Sequence, residues 1–271
     1  VKFNKITTNE IESVKRMTSR LIHRGPDSDG YYNDEIVSLG FRRLKIIDLE
    51  TGDQPISNND ETIWTCLNGE IYNYKVLRRQ LVELGYPFKT NSDTEVIVHA
   101  YQQYGIEFIS KLKGMFAIAL WDKRKKKLFL ARDRLGKKPL FYSHLNDSVS
   151  FSSGIKSLLE RCQISKEINF HALDDYLSLQ CIPSPQTILS NVKKVPPGNV
   201  LVVDYKKKAV QLIKYWELKY SPNEIAAMRD FVIAGGTLIV FEDFGYASSI
   251  AEAFGVSFKG ARLYDTVYVE E

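Results

Sequence analysis

Apolar residues recur at helical spacing through residues 7–22, where Ile11, Val14, Met17, Leu21 and Ile22 share a face and Thr8 stands ready as a cap. This amphipathic helix is expected to stop at His23-Arg24-Gly25-Pro26-Asp27, where glycine admits unusual backbone angles and proline cannot donate. Strand-like runs follow at Glu35–Arg42, Leu44–Leu49 and Thr62–Leu67, the last ending on Asn68-Gly69-Glu70. Helices are expected over Tyr74–Leu84, closed by Gly85, and over Thr94–Gln103, with Ser92 and Asp93 as capping candidates. Met115–Trp121 is almost continuously apolar, the signature of a strand covered on both faces. Lys127–Arg132, Leu140–His144 and Val149–Ser152 read as its continuation in a meander. Helical pieces at Ile155–Arg161 and Ala172–Leu179 precede a hairpin of Asn199–Asp204 and Val210–Tyr215. Strands in one block and helices in others predict an α+β layered fold rather than a βαβ alternation.

Past residue 220 the pattern changes. A helix at Asn223–Val232, a turn at Gly235-Gly236, a strand at Thr237–Phe241 and a helix at Ser248–Phe254 form one α–β–α piece. Charge changes with it. The net of +4 divides into 34 basic against 25 acidic residues over 1–220, and 3 against 8 over 221–271. The two together predict a junction near Ser221-Pro222.

With 44% apolar and 26% charged residues, the composition is globular. No apolar run reaches the ~18–20 residues of a membrane span, and no secretory leader pattern is visible. A reduced, cytoplasmic setting is expected, with no membrane partner. Three scattered cysteines, Cys66, Cys162 and Cys181, fit neither a disulfide framework nor a zinc site, and all three read as buried small hydrophobes. His23, His99, His144 and His171 show no ligand or triad spacing, so no metal is expected. The lysine-rich runs at 123–127 and 206–208 lie where hairpin turns are expected and lack interleaved aromatics, which argues against nucleic acid. Neither phosphate-loop nor dinucleotide glycine motifs occur.

The informative feature is a series of short motifs in order: His23-Arg24-Gly25-Pro26-Asp27-Ser28; Arg42-Arg43-Leu44-Lys45-Ile46-Ile47-Asp48-Leu49; Gln54-Pro55; Asn68-Gly69-Glu70-Ile71-Tyr72-Asn73-Tyr74; Ser92-Asp93-Thr94-Glu95; Gly114-Met115-Phe116-Ala117; and Ala131-Arg132-Asp133-Arg134-Leu135-Gly136-Lys137-Lys138-Pro139-Leu140-Phe141-Tyr142. Singly, each could be a cap or a turn. Together they resemble the class II, N-terminal-nucleophile glutamine amidotransferase domain of glutamine-hydrolysing asparagine synthetases, over residues 3–219. The resemblance implies a four-layer αββα Ntn-hydrolase sandwich with glutamine as ligand. It implies Arg43 as carboxylate clamp, Asp93 and Glu70 as acceptors for the α-ammonium, and Leu44 and Ile46 as backbone contacts in the same pocket. Asn68 and Gly69 would form the oxyanion hole, and Arg24 would hold the Arg-Gly-Pro-Asp turn near the nucleophile.

In that family a cysteine at the mature N-terminus attacks the amide. This sequence begins at Val1, without the Cys-Gly-Ile opening, so residues 1–271 are expected to bind glutamine without hydrolysing it. ATP and Mg²⁺ are implied only for a synthetase domain or chain that would receive ammonia, not for this chain, and a homodimer is compatible with the resemblance. The alternatives are a non-catalytic glutamine-binding or regulatory module, and a fragment or chimera without a ligand. Residues 222–271 resemble, more distantly, a DUF4350 or class I amidotransferase-like α/β segment, through Gly235-Gly236-Thr237-Leu238-Ile239-Val240.

Overall fold

The computed structural model describes residues 1–237, so the expected strand at Thr237–Phe241, beyond its first residue, and the helix at Ser248–Phe254 lie outside the described residues. Helix α1 (Thr8–Ser19) opens on a capping box, in which the Glu10 carboxylate accepts from the Thr7 N–H at 2.7 Å. The cap is therefore Thr7 and not Thr8, and the helix gives way to a 3₁₀ turn at Ile22–Arg24. Strands β1 (Ser28–Asn33) and β2 (Ser38–Arg43) form an antiparallel hairpin. Its turn is organised by Asp34, whose carboxylate accepts from the N–H groups of Ile36 and Val37 and from Trp121 Nε1. The expected strand at Glu35–Arg42 thus begins three residues later. The expected strand at Leu44–Leu49 is a loop, with Leu44, Ile46 and Leu49 exposed. The carbonyls of Ile47 and Asp48, which a ladder would have used, accept instead from the Arg43 guanidinium.

The chain then enters β3 (Ile56–Ser57) and β4 (Ile63–Ile71), and β4 runs through Asn68-Gly69-Glu70 rather than stopping before it. Helices α2 (Tyr74–Glu83), α3 (Asp93–Tyr104) and α4 (Phe108–Lys111) follow, then β5 (Gly114–Asp122), β6 (Lys127–Arg132), β7 (Phe141–Leu145) and β8 (Ser148–Ser152). Next come α5 (Ile155–Leu158), α6 (Phe170–Leu179), β9 (Lys193–Lys194), β10 (Asn199–Asp204) and β11 (Ala209–Lys214). The β1–β2 hairpin is a two-stranded sheet of its own, a six-stranded sheet has the order β11-β10-β6-β5-β4-β3, and a three-stranded sheet has the order β8-β7-β9. The expected meander therefore breaks after β6. At that point the Asp133 carboxylate accepts from the N–H groups of Phe116, Leu135, Lys137 and Lys138, while Arg132 donates to the carbonyls of Gly136, Lys138 and Val195. This knot turns the chain out of one sheet and into the other. The lysine runs occupy the β5–β6 and β10–β11 turns, as their spacing predicted.

Period-two alternation sorts the core into layers. Phe116, Ile118 and Leu120 of β5, Phe129 and Ala131 of β6, and Val200 and Val202 of β10 face α2, α3 and α4. Ala117, Ala119, Trp121, Leu128, Leu130, Leu201 and Val203 point the other way, toward β2, β7 and β8. On the far side of those strands, Met17 of α1 packs with Leu158 of α5 and with Ile164, Leu189 and Val192. The result is the four-layer αββα sandwich. Each fully buried aliphatic or aromatic side chain contributes ~1.5–3 kcal/mol of transfer free energy, so the two sheet faces carry the fold.

The chain divides into two compact units, Val1–Trp216 and Glu217–Glu271. In the second, helix α7 (Pro222–Ile233) starts from a capping box of Ser221 and Glu224. None of the described helices is long and apolar enough to cross a membrane.

Candidate functional site

Alternation also places the site. Ile63, Leu67 and Ile71 of β4 face the helices, whereas Cys66, Asn68 and Glu70 belong to the opposite set, between the sheets. There they line a cavity of about 370 Å³ together with Arg43, Asp93, Met115 and Ala117. Its size lies in the ~300–1,000 Å³ range of small-molecule sites.

Asn68 Nδ2 is buried and has no hydrogen-bond partner among the described residues. A buried, unsatisfied donor is costly, so one that borders a cavity points to an acceptor brought by a ligand. The adjoining Gly69 has φ +147°, and a Cβ there would stand 2.0 Å from the Met115 carbonyl oxygen of β5. Only glycine lets the two strands approach so closely beside Asn68.

Asp93 opens α3 and is 5% exposed. Its Oδ2 accepts from the Ile71 N–H at 2.9 Å, tying the helix start to the end of β4. Burial raises its pKa, the Ile71 hydrogen bond offsets only part of this, and the nearby Glu70 charge raises it further. The loop before α3 is held by Glu95, which accepts from the N–H groups of Lys89 and Thr90 and from the Thr90 hydroxyl.

Across the cavity, Arg43 ends β2 and is 4% exposed. Its Nη1 donates to Asp53 at 2.8 Å and its Nη2 to the carbonyls of Ile47, at 3.0 Å, and Asp48. These contacts spend three of its five N–H groups. The Asp53 pKa is lowered by hydrogen bonds from Arg43 and Ser28. Asp48 accepts from the Asn91 N–H at 2.8 Å, so the loop that carries Leu44 and Ile46 is tied to the loop that leads into Asp93. Leu44, Ile46 and Glu70 all line the cavity.

Arg24 also lines the cavity, but its guanidinium donates to the Ser153 carbonyl at 2.6 Å. The Gly25 and Pro26 carbonyls of the turn are held instead by Arg42, which sequence reasoning had not singled out. Of the cysteines, Cys66 is buried as expected, whereas Cys162 and Cys181 are exposed. Burial pushes the Cys66 thiol up to about 12, so it is no nucleophile despite lying on the cavity wall. Among the described residues, no group of three or more His, Cys, Asp and Glu side chains could hold a metal ion.

The model of a glutamine amidotransferase domain matches residues 2–216 of this sequence. The chain belongs to that glutamine amidotransferase family. Among curated proteins it is 50% identical over 197 residues to asparagine synthetase (glutamine-hydrolysing) 1 of Bacillus subtilis, covering 73% of this chain and 31% of that protein. Asparagine synthetase 2 of the same organism is 41% identical over 211 residues, covering 76% of this chain and 28% of that protein. The chain thus spans about a third of the length of these relatives. Among solved structures, the glutamine phosphoribosylpyrophosphate amidotransferase of B. subtilis, complexed with ADP and GMP, superposes with a TM-score of 0.55 at 17% identity, covering 94% of this chain and 64% of that one. That likeness establishes the fold. The amidotransferase domain here is of the class II, asparagine-synthetase type, and its motifs converge on the cavity between its two β layers.

Proposed function

We propose that the cavity binds glutamine, with the amino-acid end held between Arg43 and Asp93 and the side-chain amide directed at Asn68. The observation that carries this reading is the buried Asn68 Nδ2, without a partner among the described residues, in one cavity with an arginine and a carboxylate. Arg43 supplies a guanidinium for the α-carboxylate. Asp93, with Glu70, supplies negative charge for the α-ammonium, while Leu44 and Ile46 border it with main-chain groups. Asn68 Nδ2 and the Gly69 N–H donate to the amide oxygen, where charge develops during acyl transfer; such a donor is worth ~10²–10³ in rate.

In the complete reaction, a thiolate adds to the amide carbon, the oxyanion forms against these two donors, ammonia leaves with a proton as the C–N bond breaks, and water then hydrolyses the γ-glutamyl thioester to glutamate and free thiol. The ammonia then serves ATP-dependent amidation of aspartate in a synthetase domain, where ATP and Mg²⁺ act. None of Cys66, Cys162 and Cys181 is placed to supply that thiolate: Cys66 holds its proton, and the exposed pair does not line the cavity.

Calorimetry of purified 1–271 with glutamine tests the binding. Saturable heat is expected, and an absence of binding would reject the reading. The pH dependence adds a second check. Asp93 must be ionised to accept an ammonium, and its pKa is raised above the ordinary 3.8. Affinity is therefore expected to be flat at neutral pH and to fall by about tenfold per pH unit once the pH drops below that raised value. Binding would take up no proton above that value and release one below it. The Asp93→Asn variant should bind weakly with a flat profile, and an unaltered slope in that variant would remove Asp93 from the role.

A further inference from the structure

We infer that Gln54 is the positioning residue that sets the oxyanion strand in register with both ends of the amino-acid site. The inference rests on the proposed glutamine site and extends it to a residue to which that reading assigns no role.

Strand β3 pairs with β4 through Ile56 opposite Thr65 and Ser57 opposite Trp64. Continued by two residues, that antiparallel register would set Gln54 opposite Leu67. Pro55 intervenes, and a proline can donate nothing to a ladder. The main chain of Gln54 instead lies against β1, where a Cβ on Gly30 would come within 2.0 Å of the Gln54 carbonyl oxygen. The side-chain amide takes the place of the missing peptide. Gln54 Oε1 accepts from the Leu67 N–H at 2.6 Å, and Nε2 donates to the Leu67 carbonyl at 3.4 Å and to Thr94 Oγ1 at 3.2 Å. A primary amide has the donor and acceptor geometry of a peptide group, so it can extend a strand edge by one pair.

What matters is which residues adjoin these three points. Asp53, next to Gln54, holds Arg43. Leu67 precedes Asn68, and Thr94 follows Asp93. One side chain therefore joins the segments that carry the carboxylate clamp, the oxyanion donor and the ammonium acceptor. Two residues beyond Asn68 and Gly69, the same strand is fixed again by Asp93 at Ile71. Gln54 itself lines the cavity. The oxyanion donors thus sit on a short stretch of β4 anchored at both ends by side chains.

Gln54→Met keeps the length and removes every hydrogen bond, whereas Gln54→Glu keeps only the acceptor for the Leu67 N–H. Measurements on 1–271 are glutamine affinity by calorimetry, amide hydrogen exchange at Leu67, the Gly69 amide resonance, and the melting temperature. Gln54→Met is expected to weaken glutamine by about tenfold, to speed exchange at Leu67 and to shift the Gly69 resonance, with the fold intact. Gln54→Glu is expected to return Leu67 to near-native protection, a rescue that mere filling of space would not produce. Native exchange at Leu67 together with native affinity in Gln54→Met overturns the inference. Should Gln54→Met not fold, Thr94→Val removes one link alone; it is expected to shift Gly69 and weaken glutamine about threefold, and no change in either overturns the inference. If the unaltered chain binds no glutamine, the functional reading fails, yet Leu67 exchange and the Gly69 shift still decide whether Gln54 holds the strand.

Discussion

Arg43→Ala is expected to weaken glutamine binding by more than about a hundredfold, because hydrogen bonds between charged groups in a desolvated site are worth ~1.5–3 kcal/mol each and at least one is lost with the ion pair. A second loss accompanies it. The guanidinium also ties Asp53 and the Ile47 and Asp48 carbonyls into one loop, and Asp48 in turn accepts from Asn91 beside Asp93. Removing it leaves those acceptors without their donor on the wall that adjoins Asp93. The two contributions separate by comparison. Asp53→Ala loosens the loop anchor and leaves the guanidinium in place, so it should cost only about three- to tenfold, in line with a partly exposed ion pair. Arg43→Lys retains charge but cannot reach three acceptors at once, so it should fall near alanine. The measurement is titration calorimetry of the three variants with glutamine. Equal affinities in Arg43→Ala and the unaltered chain would place the ligand elsewhere.

Gly69→Ala is expected to damage the fold and the site together. Its φ of +147° is a region that side-chain-bearing residues rarely enter, and the new Cβ would meet the Met115 oxygen at 2.0 Å and the Phe116 Cα at 2.8 Å. All of these obstacles are backbone, so no rotamer relieves them and β5 must move. A cost of about 3 kcal/mol or more follows from strain plus displacement, which for a domain of this size lowers Tm by roughly 6–12 °C. Gly85→Ala is the control. That glycine also has positive φ, +89°, but nothing lies within 4 Å of the added methyl. It should cost about 1 kcal/mol and leave glutamine affinity unchanged. Thermal melts of both variants decide the matter, and similar shifts would mean that conformational strain alone, not the closeness of β4 and β5, sets the requirement.

The parts of the fold that were legible in the sequence are those where burial and period coincide. Met115–Trp121 and Asn199–Asp204 are apolar on both faces because both faces are covered, so they read as strands without ambiguity. Strand β1 was missed because its side chains, Ser28 to Asn33, alternate only between exposed and half-buried, leaving no hydrophobic period to detect. The opposite error arose at Leu44–Leu49, where Leu44, Ile46 and Ile47 border the cavity rather than a sheet face. Arg43, Asn68, Gly69, Glu70 and Asp93 were readable because each lies in a recognisable motif, and they do share one cavity. The supporting residues were not readable. That Arg42 holds the Gly25–Pro26 turn, or that Gln54 completes a strand pair, depends on which carbonyls and N–H groups the tertiary fold leaves open, and no local pattern encodes that.

The alternation along β4 has one more consequence, for how such a sequence can drift. Its helix-facing positions, Ile63, Leu67 and Ile71, answer to packing volume, and its inward positions, Asn68 and Glu70, border the cavity. Aliphatic exchanges on the first set leave the second untouched, so core packing and cavity lining can be retuned on separate letters of a single strand. Gly69 is the exception: at that letter the two requirements are inseparable.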